Sequence, residues 1–293
     1  MNSNKDKPIA LVTGGNAGIG FETCRGLLDA GFHVVLCARS AEKGDAAVAE
    51  LIKTAPEGST AETLVLDLAS LESVRAAAEA FISSGRALSV CVLNAGIMAL
   101  PWHRTVDGYE QQWQVNLLGH FLLCRLLLPA IRSAENPTGR VVHLSSGAHR
   151  RHPQAIDYAR LTAEHQSDAD FDRWVAYGRS KLANILFSNE LARRLEEEGS
   201  SVTSNALHPG LVATNLLTNA GGDRSRGIPV ADGARTSIYV ASSPEVEGCS
   251  GGYYSNCELV TSDGARTEIS SSDEAARLLW AEACKDLGLS EEL

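Results

Sequence analysis

The sequence predicts an α/β fold: one domain spanning residues 1–293, built on a doubly wound, mostly seven-stranded parallel sheet with helices on both faces. Three observations lead there. The apolar run Ile9-Ala-Leu-Val-Thr13 reads as a buried parallel strand, and it passes through a glycine turn into a helix-forming segment that reaches Ala30. Strand and helix signals then alternate down the chain, the pattern of stacked βαβ units. With 293 residues and 44% hydrophobic content, the chain can bury one large core.

In chain order, His33-Val-Val-Leu-Cys-Ala-Arg39 is dense in β-branched and apolar residues and reads as a second strand. Ala41 to Thr54 reads as a helix and Glu62 to Leu68 as a third strand. Ser70 to Ile82 follows as a helix, Leu88 to Leu93 as a fourth strand, Gln111 to Ser133 as a long apolar helix, and Arg140 to Leu144 as a fifth strand. There the period stops. From Gly147 to Trp174 the chain is charged and aperiodic, containing His149-Arg-Arg-His152 and Asp168-Ala-Asp170, and is read as an insertion.

The helix that follows carries Tyr177 and continues to about Glu198. Its apolar stripes, Leu182/Ile185/Leu186 and Ala183/Phe187/Leu191/Leu195, are wider than one core-facing stripe requires. Either one stripe meets a second subunit or the chain's own loops cover it. Ser201 to Leu207 reads as a sixth strand ending in His208-Pro209-Gly210. Residues 211–229, punctuated by Gly221, Gly222 and Gly227, read as a lid. Gly252 to Cys257 is the expected last strand and Asp273 to Leu287 the closing helix.

Two local patterns carry chemistry. In the first turn Gly14 permits a tight bend, Gly18 lets the backbone approach a pyrophosphate, and Gly20 allows close packing of helix on strand, while free N–H groups at the helix start attract an anion. Strand, glycine turn and helix together make a dinucleotide site, to which Asn16 and Ile19 also belong. In the second, Tyr177 and Lys181 stand four apart and share one helix face. A nearby ammonium favours phenolate over phenol, drawing the Tyr pKa down from about 10 and making the pair a proton-delivery device.

Thr13-Gly14-x-x-x-Gly18-Ile19-Gly20, Asn94-Ala95-Gly96, Asn116, Ser146 and Tyr177-x-x-x-Lys181 stand in an order that resembles the short-chain dehydrogenase/reductase family. Ser180-Lys-Leu-Ala-Asn-Ile-Leu-Phe187, Cys249-Ser-Gly-Gly-Tyr-Tyr-Ser-Asn-Cys257 and Ala276-Arg-Leu-Leu-Trp280 resemble its retinol-dehydrogenase-like branch. The resemblance implies hydride transfer between nicotinamide C4 and an aldehyde, ketone or alcohol substrate. Tyr177 would move the oxygen-bound proton, Lys181 would assist it and hold the nicotinamide ribose, Ser146 would bond the substrate oxygen, and Asn116 would orient a water. It also implies that Asp67 and Leu68 bound the adenine, that Asn94, Ala95 and Gly96 flank its ribose, and that Pro209, Val212 and Thr214 contact the nicotinamide end. Members that prefer NAD place Asp where this chain has Ala38. The next residue, Arg39, has a fork suited to a 2′-phosphate, so NADP(H) is favoured over NAD(H). Dimers and tetramers through the long helices are common in the family.

The remaining features narrow the field. A net charge of −10 argues against a nucleic-acid surface and leaves small molecules as the expected partners. The seven cysteines show no CxxC spacing and are read as reduced thiols. Arginines beside His149 and His152 would repel a cation, so no metal is expected. Residues 1–8 lack an apolar signal core. The apolar stretch from Leu117 to Ile131 is interrupted by His120 and Arg125, so the expectation is a cytoplasmic protein without a membrane anchor. Beside the oxidoreductase stand a non-catalytic dinucleotide-binding redox sensor and a reductase of a pigment or polyketide-like substrate. A nucleotide-sugar epimerase fits less well, because its glycine turn is spaced differently.

Overall fold

The computed structural model describes residues 7–135, 138–151, 154–158, 171–261 and 266–293. Its parallel strands are β1 (Ile9–Thr13), β2 (His33–Ala38), β3 (Ala61–Val65), β4 (Val90–Leu93), β5 (Arg140–Leu144), β6 (Thr203–His208) and β7 (Tyr253–Ser255), joined at one edge by β8 (Glu258–Leu259). They hydrogen-bond in the order β3-β2-β1-β4-β5-β6-β7-β8. The order reverses between β1 and β4, and in such sheets ligands bind in the crevice outside the carboxyl ends of the strands at that switch point. Thr13, Leu93, Leu144 and His208 all end their strands on this edge.

The sheet has eight strands where seven were expected. Asn256 and Cys257 both adopt positive φ, 52° and 62°, and this two-residue turn folds β8 back antiparallel onto β7. Helices α1 (Gly18–Asp29), α2 (Ala41–Thr54) and α3 (Leu71–Ile82) lie close to their expected spans. The long helix expected after β4 is not uniform: α4 (Gln111–Trp113) enters a π-helical turn at Gln114–Leu118 and resumes as α5 (Gly119–Arg132). By length and composition Gln111–Arg132 could cross a membrane, yet Leu117, Phe121, Leu122 and Leu123 in it are fully buried in the core.

Helix α6 (Arg173–Glu197) buries both of its apolar stripes within this chain. After the short α7 (Asn215–Asn219) comes α8 (Val230–Ser242), a helix the sequence pattern did not indicate. Its buried positions include Gly233, Thr236 and Ser237, too small and polar to write an apolar stripe. It packs on α1, where the Ile238 side chain fills the space over Gly26. The closing helix α9 (Asp273–Leu287) lies on α6, with Trp280 against Phe187 of its second stripe. Trp280 is its anchor, its ring centroid 4.9 Å from that of Phe121, with the guanidinium carbons of Arg125 and Arg194 4.9 and 4.6 Å from the ring centroid.

Residues 211–229 are folded. Val212 and Ile228 form a parallel bridge, and the Arg224 guanidinium donates to the Ala213 carbonyl at 2.9 and 3.1 Å. Of the insertion, Gly147–Arg151 forms a 3-10 turn packed on α6. His152, Asp168 and Asp170 lie outside the described residues. All seven thiols are free, five of them buried.

Trp280→Ala removes the largest side chain between α9 and the α5/α6 face and is expected to cost about 3–5 kcal/mol. The check is a denaturant midpoint that falls with the slope of the transition unchanged.

Candidate active site

The glycine turn is shaped by close approach. Gly18 has φ 57°, and a Cβ on Gly20 would sit 2.3 Å from the Gly14 carbonyl oxygen, so no side chain fits there. Helix α1 begins after Ala17, which offers no side-chain cap, so the first amides of the helix are not satisfied by a capping side chain. The residues therefore suit an anionic group at this helix start. Asn16 and Ile19 are part-buried in the same turn, Ile19 against the core on this face of the sheet.

The turn is tied to the loop after β4. The Asn94 side-chain amide donates to the Thr13 carbonyl at 2.7 Å, and the backbone amides of Asn94 and Ala95 both donate to the Thr13 hydroxyl at 2.9 Å. Gly96 faces the next layer: a Cβ there would lie 3.3 Å from Asn116 Oδ1 and 3.5 Å from Lys181 Nζ. Asn116 itself sits in the π-helical turn, a distortion that recurs at functional sites. Its side chain accepts from the Ile97 amide and donates to the Ile97 carbonyl and the Ser180 hydroxyl, each at 2.9 Å. One lone pair of Oδ1 stays open, so the side chain can still accept from a water.

Helix α6 brings Tyr177 and Lys181 to the end of β5. Lys181 Nζ and the Asn184 amide both donate to the Leu144 carbonyl at 2.9 Å, and the Ser145 hydroxyl donates to the Lys181 carbonyl at 2.7 Å. Ser145 is thus a structural stitch, and its neighbour Ser146 hydrogen-bonds Tyr177. The proposed Ser, Tyr and Lys converge at the carboxyl edge, with Lys181 Nζ 5.9 Å from the centre of the Tyr177 ring.

The electrostatics depart from the sequence expectation. Tyr177 is pushed up to about 12, because burial of the phenolate outweighs the hydrogen bond from Ser146. Lys181 is pushed down to about 8, also by burial. Shared position on one helix face placed the two groups correctly, but the ammonium is directed at the Leu144 carbonyl and does not lower the phenol in this geometry. His120 and His143, fully enclosed, are held neutral with values of about 3, and burial lowers His208 to about 4.

The other expected contacts surround this centre. Arg39 is exposed just after β2, beside Asp67, since the Leu66 amide donates to the Ala38 carbonyl at 2.8 Å. The Asp67 carboxylate accepts from the Ala69 amide at 3.0 Å; the N-cap of α3 is Ser70, and Leu68 is buried. Pro209 follows β6 directly. Val212 is buried against Gly233, and Thr214 reaches the glycine turn, its Cγ2 only 3.5 Å from where a Gly18 Cβ would stand. His149 is buried, its ring edge-on to that of Tyr253, and Arg151 covers Trp174; Trp102 and His103 are more open.

Sequence reasoning missed Gln112, whose side chain accepts from the Ala99 amide at 2.7 Å and donates to the Arg173 carbonyl at 3.2 Å. It ties the loop after Gly96, where Ala99 is strained at φ 49°, to the start of the Tyr177 helix. It also missed His120, which appeared only as a polar interruption of an apolar run. No local signal marks either residue.

Fold and site together define a dinucleotide-binding oxidoreductase architecture. The model of the family described as short chain dehydrogenase matches residues 8–159, and the chain belongs to that family, whose members act on CH–OH and C=O groups. Within it the chain falls in the retinol-dehydrogenase-like branch: it is 39% identical to retinol dehydrogenase 11 of Homo sapiens, over 96% of this chain and 86% of that protein. It is 41% identical to the WW domain-containing oxidoreductase of Homo sapiens over 93% of this chain, and spans 66% of that longer protein. Among solved structures, an uncharacterised protein from Mycobacterium Paratuberculosis superposes with TM-score 0.77 at 33% identity, covering 98% of both chains. The Pseudomonas aeruginosa RhlG/NADP active-site complex superposes with TM-score 0.65 at 26% identity, covering 86% of this chain and 94% of that one.

Two outcomes follow from the buried titratable groups. Unfolded histidines take up protons near pH 6.5 while buried His120, His143 and His208 do not, so the unfolded state binds more protons and stability falls as pH drops from about 6.5 toward 4. Thermal unfolding at pH 7.5 and pH 5 checks this. Lys181→Met removes a buried ammonium while Asn184 still serves the Leu144 carbonyl, so the melting temperature is expected to rise by about 2–4 °C as turnover is lost.

Proposed function

We propose that this chain is an NADP(H)-dependent oxidoreductase that interconverts an aldehyde or ketone and the corresponding alcohol, with Tyr177 as the proton-exchanging residue. The observation that carries the reading is the meeting of Ser146, Tyr177 and Lys181 at the carboxyl edge of β5, next to Gly96 and the uncapped start of α1. When bound, a nicotinamide dinucleotide supplies or accepts the hydride.

The protein's own residues do the rest. Gly14, Asn16, Gly18, Ile19 and Gly20 would cradle the pyrophosphate at the helix start. Asn94, Ala95 and Gly96 would bound a ribose, with Asp67 and Leu68 on the adenine side and Pro209, Val212 and Thr214 on the other. Ser146 donates to the substrate oxygen as negative charge develops there. Tyr177, a protonated phenol across the neutral range, is loaded to give its proton to that oxygen in the reductive direction. Lys181, whose ammonium donates to the Leu144 carbonyl, would hold the nicotinamide ribose, and Asn116 fixes the loop that faces it.

The preference for NADP(H) over NAD(H) rests on Arg39 standing free of a neighbouring Asp at position 38, with support from the NADP complex of the 26% identical relative. The relatives named as retinol dehydrogenases support an alcohol or carbonyl substrate.

Tyr177→Phe is expected to lower turnover about 10²–10⁴-fold with NADPH affinity near that of the unmodified protein. Unchanged turnover with a carbonyl substrate would remove the mechanism. Arg39→Asp is expected to shift the NADPH-over-NADH ratio of kcat/KM by about tenfold or more toward NADH, and a ratio that stays put would remove the cofactor assignment.

A further inference from the structure

His120 is a fully buried histidine that the mechanism does not use, and its contacts join two parts of the site that are distant in sequence. The Thr13 hydroxyl has one hydrogen and two lone pairs. The Asn94 and Ala95 amides, both at 2.9 Å, can only donate to it and so take the lone pairs. Its hydrogen then has two possible acceptors: His120 Nε2 at 2.8 Å and the Val92 carbonyl at 3.4 Å. Distance assigns it to the histidine. Nε2 is therefore the bare nitrogen, Nδ1 carries the hydrogen, and that hydrogen is donated to the Asn116 carbonyl at 3.1 Å in the π-helical turn.

We infer that His120 is a positioning residue for the cofactor: it orients the Thr13 hydroxyl so that both lone pairs hold the Asn94-Ala95-Gly96 loop, and it fixes the Asn116 carbonyl on its other side. Without an acceptor at the Nε2 position the hydroxyl must turn toward the remote Val92 carbonyl, and the grip on one of the two amides weakens. The loop carrying Gly96 then loses its register against the glycine turn and against Lys181, which lies 3.5 Å from where a Gly96 Cβ would stand. The neutral ring suits the task, because a second ring hydrogen would point at the hydroxyl from which Nε2 must accept. The groups around it are the Thr13 hydroxyl, the Asn116 carbonyl, the Lys181 ammonium, which further disfavours ring protonation, and the His143 ring, which is itself held neutral by burial.

The inference rests on the reading of this site as a dinucleotide site, and NADPH binding to the unmodified protein, followed by fluorescence titration, tests that reading separately. Given that binding, His120→Phe, which keeps a ring but no ring nitrogen, is expected to raise the NADPH Kd about tenfold, the loss of one net buried hydrogen bond. His120→Gln, which returns an acceptor at the Nε2 position, is expected to recover most of the affinity, and His120→Asn, which reaches only the Nδ1 position, less of it. In the Thr13→Val background the His120→Phe change is expected to add less than about threefold, because the hydroxyl through which it acts is gone. Nitrogen NMR of the histidine rings is expected to find Nε2 of His120 unprotonated. If His120→Phe fails to fold, the ranking of Gln above Asn and the ring tautomer still decide. Equal affinity in Gln and Asn, an additive double variant, or a hydrogen on Nε2 would overturn the inference.

Discussion

The site depends on one backbone carbonyl, that of Leu144 at the end of β5. Lys181 Nζ and Asn184 Nδ2 both donate to it, one helical turn apart along α6. With the Ser145 hydroxyl bonded to the Lys181 carbonyl, these contacts fix both the rotation and the height of α6 against the sheet. Tyr177, one turn before Lys181, is thereby set against Ser146. A shift of the helix by one residue would turn the phenol off this face. Core packing of Leu182, Leu186 and Phe187 beneath the helix makes the same choice of register from the other side.

The arrangement costs stability, since an ammonium and a phenol are both enclosed at the end of a strand. Burial raises one and lowers the other, and the two values are thereby drawn toward the uncharged forms. The enclosure is made by elements with purely structural roles. Helix α9 closes over α5 and α6 through Trp280, and the Gln112 side chain pins the strained loop at Ala99 to the start of α6. A rigid surround of this kind holds catalytic side chains in place without relying on their own flexibility.

Much of this was legible in the sequence because it is local. The glycine turn, the Tyr177/Lys181 spacing and the alternation of apolar strands and amphipathic helices each sit within a few residues, and the structure places them where their patterns indicate. What was not legible depends on distant partners. Helix α8 buries small and polar residues, Gly233, Ala234, Thr236 and Ser237 among them, so no stripe marks it. The π-helical turn has neither glycine nor proline to announce it. His120 read as a flaw in an apolar helix, and only the fold shows that Thr13 lies across from it. The Tyr177 pKa failed for the same reason: helix spacing gives the shared face, while the direction of the ammonium and the depth of burial come from β5 and its neighbours.

Burial as the governing influence on the central phenol is open to direct measurement. Tyrosine ring-carbon NMR across a pH titration of the cofactor-free protein, with Tyr177→Phe to assign the signal, reports the ionisation of this one residue. The geometry requires Tyr177 to remain protonated to about pH 11. Ionisation in the neutral range would contradict it, and would mean that the lysine charge, not desolvation, sets the acidity of the site.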